Sequence, residues 1–407
     1  MNPRHRLEVA DVFRKHACDY LSQQRGSLEQ RRVLAAIQQC RTEALGGHVE
    51  ECDRCGHRRV AYNSCRNRHC PKCQGPACAQ WMQARAAELL PVPYFHVVFT
   101  LPETLAPLAL QNKRVMYDLL FRAAAQTLQD VAADPKHLGA ELGFLAVLHT
   151  WGQNLLHHPH VHCVVPAGGL SREGSGWVPG NKKFLLPVRV LSRVFRGKYL
   201  FFLKRAFRAG KLEFHGNLEK LQEASRFEQL LTTSVRREWV VYAKPPTGGP
   251  EQVLKYLARY THRVAISNRR LVQMQDGKVT FSYKDYADRN RTKEMTLSAT
   301  EFIRRFLLHV LPASFVRIRH YGYMANRFRL EKLSRCRQLL LQDEKPVPLV
   351  APTTAWDQTA SDAEPASTGR CPHCREGKMR IVETLQPRWP YSRQHVFIST
   401  ATGHDTS

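Results

Sequence analysis

The stretch HHPHVHCVVPAGG, residues 157 to 169, sets His160 and His162 two positions apart at the mouth of an apolar run. Side chains two apart on a strand point to the same face, so both imidazoles look one way while Val161 looks the other. Neutral imidazole binds first-row divalent cations, and two such rings form a metal site that lacks a third ligand. The segment before it, GFLAVLHTWGQ, pairs with it as an antiparallel hairpin. With Trp151 opposite His160, His149 falls opposite His162 and becomes the first candidate for the third ligand, with Gln153 and His262 behind it.

A second set lies downstream. In EQVLKYLARYTHR, Tyr256 and Tyr260 are four residues apart, which stacks two phenols on one helix face roughly 6 Å apart. Leu254, Leu257 and Ala258 can serve a core, leaving Lys255, Arg259, His262 and Arg263 on the polar side. A phenol with a pKa of about 10 is a poor nucleophile near neutral pH. A cation that polarises a phosphate under attack removes much of that handicap. Taken alone the tyrosines read as aromatic packing of an amphipathic helix; the histidine pair shifts the balance away from packing.

The third set is sulfur. Cys52-Asp-Arg-Cys55 and Cys70-Pro-Lys-Cys73 are CxxC knuckles a short distance apart among 12 cysteines. This spacing predicts one structural zinc held by Cys52, Cys55, Cys70 and Cys73. Cys65, Cys78, His48, His57 and His69 lie in or beside the same segment and leave a second zinc, or another choice of four, open. Cys371-Pro-His-Cys374 is a lone knuckle, either half a site completed in an oligomer or inert. Arg54, Arg58, Arg59, Arg66, Arg68 and Lys72 give the module the charge that phosphate contact needs.

The composition agrees. Lys plus Arg number 61 against 35 Asp plus Glu, a formal charge of +26 spread over 407 residues. Such an excess points to a polyanion partner, most simply nucleic acid, over a merely basic enzyme. No run is long and apolar enough to span a membrane and the first residues lack a signal-peptide core, so a cytoplasmic protein is expected.

The elements that must hold these groups are legible in outline. Residues 7 to 45 carry helical periodicity broken at QRGS, predicting two helices. Residues 46 to 85 form the zinc module. PVPYFHVVFTLP reads as a buried strand, and NKRVMYDLLFRAAAQTLQDVAAD as a helix. Residues of about 170 to 249 read as a basic, mostly helical insertion closed by KPPTGGP. RRLVQMQDGKVTFSYKDY is a hairpin turning at Asp276-Gly277, and KEMTLSATEFIRRFLLHVLP a strand followed by a helix capped at Ser298 or Thr300. The Pro/Ala/Ser/Thr-rich residues 346 to 407 read as a flexible tail. There is no internal repeat.

The ordered set resembles the HUH single-strand endonucleases, His-hydrophobic-His enzymes, and most closely the two-tyrosine rolling-circle transposases of the insertion-sequence 91 type. Four stretches carry the likeness: YNSCRNRHCPKC, HTWGQNLLHHPHVHCVVPAGG, YLARYTHRVAISN and VRIRHYGYMANR, which together span most of residues 46 to 330. The resemblance implies an α+β fold, in which residues 90 to 345 form an HUH domain with a five-stranded antiparallel sheet flanked by helices. The HxH lies on a central strand and the tyrosine helix beside it. It implies Mg2+ or Mn2+ at His160 and His162, with His149 resting on the hairpin register, and Tyr256 and Tyr260 as nucleophiles. Arg259 and Arg263 are expected on DNA with Arg66, Arg68 and Lys72. The implied substrate is single-stranded DNA of transposon ends and target, joined through a 5′-phosphotyrosine, with host replication factors as further partners. No GxxxxGK[ST] loop is present, so no nucleotide cofactor is expected.

Two other readings fit less of the chain. An HUH initiator nicking a replication origin keeps the chemistry but not the zinc module or VRIRHYGYMANR. A non-catalytic zinc DNA-binding regulator accounts for the charge and the cysteines but leaves the histidines and paired tyrosines to coincidence.

Overall fold

The computed structural model describes residues 6–181, 184–236, 238–244, 265–286, 288–342 and 369–388. Helices α1 (Val9–Gln23) and α2 (Leu28–Gln39) lead into β1 (Gly47–Cys52), β2 (Arg58–Tyr62) and α3 (Pro71–Ala86). The chain continues through β3 (Tyr94–Thr100), α4 (Ala106–Gln111), α5 (Lys113–Ala133), β4 (Phe144–Trp151), β5 (His157–Pro166), β6 (Gly168–Leu170) and β7 (Trp177–Pro179). Then come α6 (Val188–Arg208), α7 (Ala224–Val235), β8 (Val241–Lys244), β9 (Leu271–Gln275), β10 (Lys278–Asp285) and β11 (Arg291–Ser298). Last are α8 (Ala299–Leu308), β12 (Ile318–Tyr321), α9 (Arg329–Gln342) and β13 (Met379–Leu385). Among the described residues no helix is long and apolar enough to cross a membrane.

The fold is α+β, built on a five-stranded antiparallel sheet in the order β12-β4-β5-β3-β8. Strand alternation divides its two faces. Phe95, Val97 and Phe99 of β3, Ala146 and Leu148 of β4, and Val161, Cys163 and Val165 of β5 bury one face in the main core, which also takes in residues of α5 and α6. The opposite face carries Tyr94, Leu145, Val147 and Val164, which form a smaller buried cluster with Trp81, Leu89 and Ile318 against it. The histidines occupy the remainder of that second face.

The described part of the segment expected as an insertion, up to residue 244, packs into the main core and the sheet. Leu191, Phe195, Tyr199 and Leu203 of α6 are buried in the main core, and β8 pairs with β3 as the sheet edge. The N-terminal helices likewise stand on no core of their own. Val9, Phe13, Leu34 and Ile37 share one with Phe281, Phe302, Ile303 and Phe306 of the β9–β11 sheet and α8. Helix α2 starts on a capping box between Ser27 and Gln30, and α8 on Ser298, whose hydroxyl accepts from Glu301 N. Asp276 and Gly277 both have positive φ, 50° and 69°, as the tight turn between β9 and β10 requires.

The C-terminal stretch differs most from expectation. Residues 369–388 are not a free tail: β13 pairs antiparallel with β1, from Gly47 opposite Leu385 to Cys52 opposite Met379. An isolated sequence window hides such pairing because the partner strand lies over three hundred residues away.

Candidate active site

Two adjacent strands and a third beside them place the histidines. His149 of β4 stands directly opposite His160 of β5, and Val147 opposite His162. The expected register, with His149 facing His162, is therefore displaced by two residues, and past His149 a bulge brings Trp151 opposite His157. A displacement of two keeps every side chain on its face, so His149 still joins the pair. The ring nitrogens of His149, His160 and His162 all lie within 4.8 Å of one another. His149 and His162 are buried, while His160 is half-buried.

The surroundings prepare the rings for a cation. His160 Nδ1 lies 2.7 Å from the carbonyl oxygen of His158, so it must donate, which leaves Nε2 with the lone pair a metal needs. Burial holds the His160 imidazole down at about 4, neutral near pH 7. Trp151 stacks on His149 with centroids 4.5 Å apart. His96 of β3 reaches His162 Nδ1 from its own Nε2 at 2.7 Å. Sequence reasoning missed His96 because FHVVF reads as a plain buried strand; its signal was a histidine two residues from Tyr94, on the face that the HxH motif shares. A trio of imidazoles suits a divalent transition ion.

The cysteines form two clusters, not one. Cys40, Cys65, Cys70 and Cys73 gather at the C-terminal end of α2 and the N-terminal turn of α3, and Cys52 and Cys55 gather with Cys371 and Cys374. The single site expected from Cys52, Cys55, Cys70 and Cys73 is excluded by length. The first cluster lies at one end of the β1–β2 hairpin and Cys52 at the other, and strands of five to six residues separate them by roughly 15 to 20 Å. In the first cluster Sγ–Sγ separations of 3.5 Å for Cys65–Cys73 and 3.6 Å for Cys40–Cys73 and Cys40–Cys70 approach the edge of about 3.8 Å that a tetrahedron with Zn–S near 2.3 Å requires. Hydrogen bonds from the Cys65 and Cys70 thiols lower the Cys40 thiol to about 7, making a thiolate available to a metal.

The expected DNA contacts separate on inspection. Arg66 is exposed. Arg68 instead donates from its guanidinium to the carbonyls of Phe315, at 2.6 Å, and Pro312, at 2.8 Å, and Lys72 pairs with Glu8 at 2.8 Å. Both cations serve the packing of the module rather than an open surface. Tyr256, Tyr260, Arg259, His262 and Arg263 lie outside the described residues.

Comparison with known proteins adds a separate line. Residues 143–332 match a family model described as "Putative transposase", and residues 12–101 one described as "Transposase zinc-binding domain". The "Putative transposase y4qJ" of Sinorhizobium fredii is 57% identical over 381 residues, covering 92% of this chain and 95% of the relative. The "Transposase for insertion sequence element IS801" of Pseudomonas savastanoi pv. phaseolicola is 32% identical over 295 residues, 71% of this chain and 68% of the relative. No solved structure matches.

Proposed function

The chain belongs to the transposases of the insertion-sequence 91 type, and from that premise we propose that it cuts and rejoins single-stranded DNA at transposon ends by a rolling-circle route. The observation that carries the reading is the one-sided trio His149, His160 and His162 on adjacent strands of the antiparallel sheet.

The trio would hold Mn2+ or Mg2+, which when bound polarises the scissile phosphate and offsets charge in the transition state. Its all-nitrogen donor set favours manganese over magnesium, a harder ion that prefers oxygen. Tyr256 or Tyr260 attacks the phosphorus: the phenol loses its proton, an Oη–P bond forms, the P–O3′ bond breaks and the departing 3′ oxygen is protonated. The product is a 5′-phosphotyrosine beside a free 3′-OH. Attack of a 3′-OH on that ester reverses the exchange without an external energy source. The second tyrosine permits another cleavage while the first remains esterified. Host replication proteins would supply strand separation.

Zinc at Cys40, Cys65, Cys70 and Cys73 would fix the ends of α2 and α3, with Arg66 beside it facing phosphate. Incubation with 3′-labelled single-stranded DNA carrying the element's end and Mn2+ should give a denaturation-resistant protein–DNA adduct. If an authentic end yields none, the proposed chemistry is wrong.

A further inference from the structure

The matched zinc-binding region ends at residue 101, yet two cysteines beyond residue 370 complete a cluster with two inside it. We propose that Cys52, Cys55, Cys371 and Cys374 hold a second zinc ion, which clamps residues 369–388 to the β1–β2 hairpin.

The four Sγ atoms lie within 4.8 Å of one another. Cys52 and Cys374 are 3.7 Å apart and Cys55 and Cys371 are 3.6 Å apart. These separations approach the edge of about 3.8 Å of a zinc tetrathiolate and are far above the roughly 2.05 Å of a disulfide.

The two halves are built alike. Each is a CxxC turn followed by a residue in the left-handed region, Gly56 at φ 67° and Arg375 at φ 62°. This turn carries backbone N–H groups back onto sulfur: Arg54 N to Cys52 at 3.5 Å, His373 N to Cys371 at 3.4 Å, and Gly377 N to Cys374 at 3.3 Å. Such donors offset the negative charge that four thiolates leave on a zinc centre. Gly377 is required for closeness, since a Cβ there would fall 2.3 Å from Cys52 Sγ.

The halves also meet through contacts that need no metal. β13 pairs along β1, Asp53 N donates to Lys378 O at 3.1 Å, and Asp53 Oδ1 accepts from Lys378 N at 2.8 Å. His57 stacks on His373 at 5.3 Å. The cysteines are thus delivered to one point by the fold, and metal closes a loop between positions 55 and 371. The site is distinct from the Cys40 cluster and from the histidine trio, so its failure would leave the proposed cleavage chemistry untouched.

Full-length protein should carry two zinc ions per chain, and the paired substitution Cys371→Ser with Cys374→Ser should carry one. In that variant Cys52 and Cys55 should react with iodoacetamide as readily as Cys18, which is exposed. Should the variant fail to fold, the unmodified protein decides. Cobalt substitution should titrate two equivalents of tetrathiolate absorption, and Cys371 and Cys374 should resist alkylation until chelator is added. A zinc content that the paired substitution leaves unchanged, or alkylation of Cys371 and Cys374 at the Cys18 rate in metal-loaded protein, overturns the proposal.

Discussion

His96 Nε2 and His162 Nδ1 lie 2.7 Å apart, their rings stacked within 7° at a centroid distance of 4.9 Å. Burial lowers the His96 imidazole to about 3, so it is neutral and offers one acceptor nitrogen. For His162 to present a lone pair at Nε2 to the proposed metal, its Nδ1 must carry the proton and donate to His96 Nε2. In that arrangement His96 is a positioning residue behind a proposed metal ligand.

Replacing it should act on metal rather than on chemistry. His96→Leu is expected to raise the Mn2+ concentration for half-maximal adduct formation by roughly 10- to 100-fold, with the rate at saturating Mn2+ close to wild type. His96→Asn, which retains an acceptor, should recover part of the loss. Equal Mn2+ affinity in calorimetry for wild type and His96→Leu would remove His96 from the site.

The proposed nucleophiles are tested directly. Tyr256→Phe and Tyr260→Phe should each impair transposition, and the double variant should form no adduct. Mass spectrometry of a trapped adduct that placed DNA on any other residue would reassign the chemistry. His160→Ala should abolish metal-dependent cleavage while leaving zinc content unchanged, because the trio shares no ligand with either cysteine cluster.

Arg66 and Arg68 are neighbours with opposite expected behaviour. Arg66→Ala should weaken single-stranded DNA binding and reduce its salt slope by about 1 at unchanged melting temperature. Arg68→Ala removes the donors to the Phe315 and Pro312 carbonyls, and should cost about 1 to 3 kcal/mol of stability. Denaturant titration beside a salt series of binding curves separates the two effects.

Gly322 explains part of VRIRHYGYMANR. Its φ is 59°, and a Cβ there would sit 1.6 Å from Leu142 O, a backbone atom at the start of the β4 region. The next residue, Tyr323, lays its ring over Gly143, where a Cβ would meet ring carbons at 2.4 to 2.6 Å. Gly322→Ala should therefore destabilise the chain by more than about 3 kcal/mol or prevent folding. A melting temperature within a degree of wild type would show that β12 can shift without cost.

The parts of this molecule written in local patterns were readable, and those written across long separations were not. Alternation alone placed His160 and His162 on one face. It also kept His149 there, although the pairing was displaced, because two residues is one full strand period. A CxxC spacing reveals that a knuckle exists but not which knuckle it meets, so Cys70–Cys73 and Cys52–Cys55 were joined to each other. Their true companions include Cys40, disguised as the end of an amphipathic helix, and Cys371–Cys374, more than 300 positions away. Charge indicated a polyanion partner but not which cations face it: Arg68 and Arg66 look equivalent until the carbonyls around Arg68 are seen.

The pairing of β1 with β13 also imposes an order on synthesis. A nascent chain that has made β2 holds β1 with one edge open until residues 379–385 leave the ribosome. At about 5 to 20 residues per second that wait is roughly 15 to 60 s. For most of it Cys52 and Cys55 are only half of their four-cysteine cluster. A message truncated between positions 342 and 371 would yield a protein with its five-stranded sheet complete and the outer edge of β1 unpaired, a bare strand edge of the kind that seeds aggregation.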